Sequence, residues 1–314
     1  MAARLIGRRS LSSLAIASSK EGFKATKLKI PEKLAASEVL VSFQACGESP
    51  YDKVADGGVV GSSGVALVKK LGAGVKNLKE GDRVIPIKPG LGTWREEGVV
   101  ASTDVAAIPE SLKTEHAATL WSGPFTAHRI LTDYKPKNAI IINGAETAAG
   151  QSLVQMASVK DVKSICIVSA GLPAFAPVVE GLKYLGAEIV VDEDFPTASL
   201  EALIQDIGKV GLAVNISGAK SGKFMAKVVG GEKNIVTVEG QATGASLGSA
   251  FSLTKWMSKA SAADKEKMIK DIADMHASGE LMTLSRTVPL SRLPAALDSI
   301  ERMPLRTIIG VAGM

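Results

Sequence analysis

The chain has 314 residues, of which 46% are hydrophobic and 22% are charged, so its composition excludes a disordered, collagenous or coiled-coil protein. Its length is that of about two domains. The formal net charge is +5. Arg4, Arg8 and Arg9 supply three of these charges. The small net charge of the rest of the chain therefore does not predict binding to nucleic acid. Charges, Gly or Pro interrupt every apolar stretch, so no transmembrane segment is predicted.

Residues 1–12 form a basic leader that contains arginines and serines, and the first acidic residue is Glu21. This composition is typical of a mitochondrial transit peptide and predicts a location in the mitochondrial matrix. The alternative is a basic N-terminal arm, because residues 13–17 (SLAIA) already predict a first strand.

The next part of the chain predicts β-structure, with strands over residues 39–45, 65–71, 82–86 and 93–100. After Pro109 the pattern changes to alternating helices and strands. The predicted helices cover residues 116–133, 147–159, 173–185, 198–207 and 221–229, and the predicted strands cover 139–143, 164–169, 188–191, 212–216 and 234–238. This alternation predicts a doubly wound parallel sheet.

From Met282 the pattern returns to β, with a helix over 293–300 and a last strand over 306–311. We therefore predict an α/β chain of two domains. Residues 13–115 and 282–314 would form a β-rich domain, and residues 116–281 a Rossmann-type cofactor domain inserted into it.

A candidate dinucleotide-binding loop follows the strand at 139–143. Residues 144–150 (GAETAAG) lead directly into a helix, where glycines let backbone N–H groups approach a pyrophosphate and the helix N-terminus supplies partial positive charge. The candidate cofactor-binding residues are Gly144, Ala145, Thr147 and Gly150, with Ser169 after the next strand.

Two features of this loop argue against a cofactor. We expect the Glu146 carboxylate to occupy the anion site, where it would cap the helix and repel phosphate. Residues 168–171 (VSAG) offer neither an acid for an adenosine ribose nor an arginine for a 2′-phosphate, although Ser169 could donate one hydrogen bond. The loop is therefore expected to support the fold without a cofactor.

Two further segments of the sequence are similar to segments of a known protein family. Residues 90–97 (GLGTWREE) and 117–129 (AATLWSGPFTAHR) resemble the matching stretches of mitochondrial trans-2-enoyl-CoA reductases, a zinc-free family of the medium-chain dehydrogenase/reductase superfamily. The resemblance implies a GroES-like β-rich domain plus an inserted Rossmann-type doubly wound parallel sheet, with the active cleft between them. It also implies hydride transfer from NADPH to the β-carbon of an enoyl thioester, with a tyrosine helping to protonate the α-carbon.

The chain departs from the family at several of these positions. The segment expected to carry the tyrosine is shortened after Asp52, which leaves Tyr51 as the sole candidate replacement, or else as a packed loop tyrosine. Gly123 replaces an asparagine, and Trp121 replaces a small residue and is expected to fill space in the cleft. Ala148 stands where the family has a glycine in the loop, and residues 169–170 include no arginine for the 2′-phosphate.

No metal site is predicted. His116, His128 and His276 are widely separated in sequence, and Cys46 and Cys166 fall outside any metal-ligand spacing. His128 is expected to have a hydrogen-bonded packing role. Both cysteines are expected to be buried thiols in a reducing compartment.

Two functions follow from these observations. The preferred hypothesis is a non-catalytic relative without a cofactor, acting as an accessory or structural subunit of a large mitochondrial complex such as a respiratory complex or the mitoribosome. The alternative is an active NADPH-dependent trans-2-enoyl-thioester reductase of mitochondrial fatty acid synthesis, with Tyr51 or a water as proton donor.

Overall fold

A computed structural model of the chain describes residues 12–52, 57–172, 174–218, 220–239, 247–297 and 307–311. The predicted basic leader lies outside these residues apart from Ser12. Within the described ranges, no helix has both the length and the apolar character needed to cross a membrane.

The N-terminal part of the chain is built from strands. They are β1 (Ser12–Ser19), β2 (Gly22–Lys29), β3 (Glu38–Gly47), β4 (Ser63–Leu71), β5 (Arg83–Pro86), β6 (Glu97–Ala101) and β7 (Val105–Ala107). Two helices follow them, α1 (Thr114–Ala117) and α2 (Pro124–Tyr134).

Strands and helices then alternate. They are β8 (Ala139–Asn143), α3 (Ala148–Val159), β9 (Lys163–Val168), α4 (Phe175–Tyr184), β10 (Ala187–Asp192), α5 (Thr197–Gln205), β11 (Val210–Asn215), α6 (Gly222–Val228) and β12 (Ile235–Val238). The remaining elements are β13 (Ser249–Phe251), α7 (Leu253–Lys259), α8 (Ala262–Ser278), β14 (Ser285–Pro289), α9 (Leu293–Leu297) and β15 (Thr307–Val311).

The alternating segment forms the predicted doubly wound sheet. Its strand order is β10-β9-β8-β11-β12-β13, and every pair is parallel. All five residues of β8 are buried, as expected for a central strand covered by helices on both faces. Because the chain runs outward from β8 in one direction and resumes at β11 on its other side, the switch point lies between these two strands, where such sheets bind ligands.

The other sheet has the order β14-β15-β3-β4-β5-β7, with β6 also pairing with β3. The last strand, β15, is antiparallel to β3, so the end of the chain joins the sheet formed by its beginning. Strands β1 and β2 form a separate hairpin. The exact domain limits at residues 115, 116, 281 and 282 stay a prediction.

Several elements differ from those predicted. The single helix over 116–133 is two helices, because Pro124 lacks an N–H and starts α2 as its first residue after Gly123. The hairpin strand β2, the short strands β7 and β13 and the helix α8 are not among the predicted elements. Helix α8 has recognisable boundaries nonetheless, since Ser261 and Asp264 form a capping box at its start and Gly279 ends it at φ +80°.

One hydrophobic core joins the two sheets. It runs from Ala45 and Ile85 in the β-rich part through the segment around α2 to the residues that cover the parallel sheet. Trp121 lies at the junction, 1% exposed, and its indole N–H donates to the Pro86 carbonyl at 2.9 Å. The two parts of the chain are therefore held by continuous apolar packing.

A close backbone approach fixes the start of α2 against the start of α3. A Cβ added at Gly123 would lie 2.2 Å from the Ala148 carbonyl oxygen and 2.7 Å from the Ala149 nitrogen, which no real contact tolerates. The φ of Gly123 is −161°, so glycine is required here for space and not for backbone conformation.

Gly123→Ala is therefore expected to lower the free energy of unfolding by about 2 kcal/mol or more, because the methyl group forces the two helices apart. Urea unfolding followed by circular dichroism measures this. Gly74→Ala is the control, since its added Cβ comes no closer than 3.1 Å to Ala36 in an exposed loop. Equal stability of both variants would contradict the assigned packing.

Candidate functional site

The loop between β8 and α3 has the geometry of a dinucleotide-binding turn. Gly144 adopts φ +62°, a conformation that side chains disfavour. A Cβ at Gly150 would lie 2.5 Å from the Ala145 Cα and 2.6 Å from the Gly144 carbonyl oxygen. Both glycines are therefore needed for the tight turn and for the contact between helix and strand.

Thr147 caps α3, which corrects the expectation that Glu146 would do so. The Thr147 hydroxyl accepts from the Gly150 N–H at 3.2 Å and donates to the Gly144 carbonyl at 2.7 Å. A short hydroxyl at the residue before the helix reaches this N–H more directly than the longer Glu146 side chain. As the first residues of α3, Ala148 and Ala149 have N–H groups without an intrahelical acceptor, and helix N-termini of this kind favour anions.

The Glu146 side chain turns to the neighbouring strand instead. Its Oε1 accepts from the Ser169 backbone N–H at 3.1 Å and from the Ser169 hydroxyl at 2.5 Å. Its Oε2 is buried and has no hydrogen-bond partner among the described residues. The carboxylate thus lies at the carboxyl end of β9, and the hydroxyl hydrogen of Ser169 is already used within the protein.

A buried amide network closes the switch point. The Asn143 side-chain nitrogen donates to Asn215 Oδ1 at 2.7 Å and to the Gly218 carbonyl at 3.0 Å, while Asn143 Oδ1 accepts from the Ile216 N–H at 2.6 Å. Both asparagines end their strands and are fully buried. In the sequence, one asparagine ends β8 and another ends β11. The pairing of these two side chains was not predicted from the sequence.

The candidate proton donor, Tyr51, lies beside Trp121 at the junction of the two sheets. Their rings meet edge to face with centroids 5.5 Å apart, and the hydroxyl of Tyr51 is buried. The Tyr51 carbonyl accepts from the Ser62 hydroxyl at 2.9 Å, which ties the loop to the start of β4. Trp121 fills space here, as predicted.

Two carboxyl groups that sequence reasoning missed flank Tyr51. Burial raises the pKa of Asp52 to about 7, against the opposing effect of the N–H groups of Ser49 and Ser62, which donate to it at 2.7 Å each. Burial, and then the nearby Asp52, raise the pKa of Glu48 to about 7. Groups with these pKa values exchange protons near neutral pH. Their only signal in the sequence was the presence of two acids in a short loop.

A small cavity lies where the starts of α2 and α3 meet the tail. Its volume is about 20 Å³, room for one water, and its lining includes Thr119, Pro124, Ala148, Gln151 and Met282. A side chain larger than that of glycine has no space at residue 123, because the Gly123 Cα packs directly on the first turn of α3.

The histidines serve packing. His128 Nε2 lies 3.1 Å from Asp271 Oδ2, the hydrogen-bonded role expected of it. His116 and His276, far apart in sequence, stack with ring centroids 4.0 Å apart, and burial lowers the pKa of His276 to about 3. Both cysteines are buried free thiols. In the described ranges no group of three or more His, Cys, Asp or Glu side chains is arranged to hold a metal ion.

Comparison with solved structures shows the fold. The mitochondrial 2-enoyl thioester reductase Etr1p/Etr2p heterodimer from Candida tropicalis matches with a TM-score of 0.78 at 21% identity, over 95% of this chain and 99% of that one. Escherichia coli quinone oxidoreductase in complex with NADPH matches with a TM-score of 0.79 at 19% identity, over 96% and 100%. The chain therefore has the predicted GroES-like domain with a Rossmann-type sheet.

No protein-family model matches the chain. Curated relatives do. The mitochondrial enoyl-[acyl-carrier-protein] reductase of Dictyostelium discoideum is 32% identical over 253 residues, which are 74% of this chain and 72% of that protein. That of Caenorhabditis elegans is 30% identical over 287 residues, which are 83% and 82%. By these similarities and by its fold, the chain belongs to the family of mitochondrial enoyl-[acyl-carrier-protein] reductases.

Proposed function

We propose that this chain reduces the double bond of a 2-enoyl thioester, with a reduced nicotinamide dinucleotide as the hydride donor. The observation that carries the proposal is the intact turn of Gly144, Thr147 and Gly150 at the switch point of the parallel sheet. Relatives named as enoyl reductases at 27–33% identity support a reductase over the non-catalytic subunit that the sequence departures favoured.

The described residues fit a dinucleotide. The first turn of α3 offers the N–H groups of Ala148 and Ala149 to a pyrophosphate, and Glu146 leaves this position clear by turning to Ser169. When bound, the reduced nicotinamide supplies hydride to the β-carbon of the enoyl thioester. A related solved structure, the Etr1p complex with NADP and crotonyl-CoA, supports this pair of ligands. The sequence predicts NADPH for an active enzyme and no cofactor for a non-catalytic one, and the NADP complex of this relative supports the active enzyme.

Reduction of a 2-enoyl thioester leaves negative charge on the α-carbon side, which must accept a proton. Tyr51 is the proposed donor, with a water as the alternative, because its hydroxyl lies at the junction of the two sheets beside Trp121. Glu48 and Asp52 belong to the same segment of the chain and can exchange protons near neutral pH, since burial raises the pKa of each to about 7. The segment 48–52 thus supplies the groups that hold and move the proton.

The proposed place of this activity is the mitochondrion, specifically the matrix. Relatives are named as mitochondrial enzymes acting on enoyl-[acyl-carrier-protein], and residues 1–12 have the composition of an import leader. The proposed substrate is an acyl thioester on a carrier, as in fatty acid synthesis.

A non-catalytic subunit of a large mitochondrial complex is the second candidate. The observations that favour it are the closed packing of Trp121 and the cavity of about 20 Å³ beside α3, which has room for one water only. Sizing the native protein from mitochondria separates the two, because a subunit would migrate with a large assembly and a reductase as a small oligomer.

The purified chain is expected to consume the reduced nicotinamide dinucleotide when crotonyl-CoA is added. The absorbance of the reduced dinucleotide measures this consumption. Ala148→Pro is expected to weaken dinucleotide binding about tenfold or more, because proline removes one N–H that faces the pyrophosphate while still fitting the first helical position. Ala262→Pro is the matched control at the first position of α8. Absence of both turnover and binding in the native chain would leave the second candidate.

Tyr51→Phe is expected to lower kcat about 100-fold with little change in KM, because it removes the proton donor and keeps the ring against Trp121. Steady-state kinetics measure this. Tyr184→Phe is the control, since Tyr184 is 74% exposed on α4. Full activity of Tyr51→Phe would instead assign proton donation to a water.

The acids beside Tyr51 also predict how stability depends on pH. Their unfolded pKa values are near 4, and their folded values are about 7, so the folded state binds more protons between these limits. The free energy of unfolding is therefore expected to fall as pH rises from 4 to 7. Asp52→Asn should flatten this slope in urea unfolding, whereas Glu80→Gln at an exposed position should leave it as in the native chain. An unchanged slope in Asp52→Asn would contradict the raised pKa of Asp52.

A further inference from the structure

We propose that Glu146 makes the dinucleotide site selective for NADH over NADPH. This inference rests on the proposed function and specifies the cofactor of the same site. It departs from the NADPH that the family resemblance implies, and it follows from where the loop places a carboxylate.

The carboxyl end of the second strand of a dinucleotide-binding unit is where the adenosine ribose is recognised. In this chain that strand is β9, and Ser169 follows it directly. The two hydrogen bonds from Ser169 to Glu146 Oε1, at 3.1 and 2.5 Å, hold the Glu146 carboxylate at this point. An acid supplied by the phosphate loop thus occupies the place where other NAD-binding proteins supply one from the strand end.

The second carboxylate oxygen is suited to a ribose hydroxyl. Glu146 Oε2 is buried and has no partner among the described residues, and a buried carboxylate oxygen without a donor is unfavourable. A free ribose 2′-OH is a hydrogen-bond donor of the required kind. A 2′-phosphate has only acceptor oxygens when fully ionised, so it leaves this oxygen without a donor.

The charges around this end of the sheet agree with the assignment. The Glu193 N–H donates to the Val168 carbonyl at 3.1 Å, which places a second acidic residue beside the end of β9. Residues 167–172 and 191–194 include no lysine or arginine, and the nearby Lys220 pairs with Asp194 at 2.7 Å. A 2′-phosphate would therefore meet carboxylates without the cation that NADP-binding proteins provide.

The test is a binding titration of the purified chain with NADH and with NADPH, followed by the fluorescence of its tryptophans. We expect NADH to bind about tenfold more tightly or better. Competition by 5′-AMP and by 2′,5′-ADP locates the difference, and the 2′-phosphorylated nucleotide is expected to compete less well.

Glu146→Gln is expected to bring the two dissociation constants close together, because it removes the negative charge and places an amide N–H near the 2′ position. Ser169→Ala removes only the hydroxyl that orients Glu146 and is expected to reduce the preference in part. Glu180→Gln on the exposed face of α4 is the control and should keep the native preference. Melting temperatures confirm that each variant is folded.

The outcomes separate the inference from the function. Tighter binding of NADPH by the native chain overturns the selectivity and leaves the reductase proposal in place. An unchanged preference in folded Glu146→Gln overturns the role of Glu146. If the native chain binds neither dinucleotide, both the inference and the proposed function fail.

Discussion

The contact between the Gly123 backbone and the first turn of α3 fixes the geometry of the site. It sets α2 against the helix whose N-terminus faces the switch point, and Trp121, two residues earlier, continues the same packing into the β-rich part through Pro86. Because protein cores are close-packed, a displacement at this junction moves the tyrosine loop and the phosphate loop relative to each other. Gly123 is thus a packing contact within the Rossmann-type part, and the neighbouring Trp121 connects it to the β-rich part through Pro86.

The direction of the Glu146 side chain determines whether the loop between β8 and α3 can accept a pyrophosphate. A carboxylate at residue 146 pointing to the helix N-terminus would exclude a pyrophosphate. Its hydrogen bonds to Ser169 turn it to the end of β9, and Thr147 caps the helix in its place. The same acid that argued against a cofactor therefore becomes a group that can recognise a ribose. The proposed preference for NADH follows from this position of the Glu146 carboxylate.

The sequence allowed the doubly wound parallel sheet and the phosphate loop to be predicted, because hydrophobic alternation and the β8 turn are local patterns. It did not predict helix α8 or the hairpin strand β2, where an amphipathic helix with mixed charges and an exposed polar strand give weak signals. The contacts within the site were harder to predict from the sequence than the strands and helices. Whether Glu146 caps a helix or contacts Ser169, and whether Asp52 is buried, depends on contacts between residues distant in sequence, which local patterns do not encode.

A crystal structure of the chain with NADH bound would test the position of Glu146 most directly. We expect the pyrophosphate over the N–H groups of Ala148 and Ala149, the adenosine ribose hydroxyls on Glu146, and Glu146 still held by Ser169. A dinucleotide bound elsewhere, or Glu146 released from Ser169 and turned toward the helix N-terminus, would contradict this expectation.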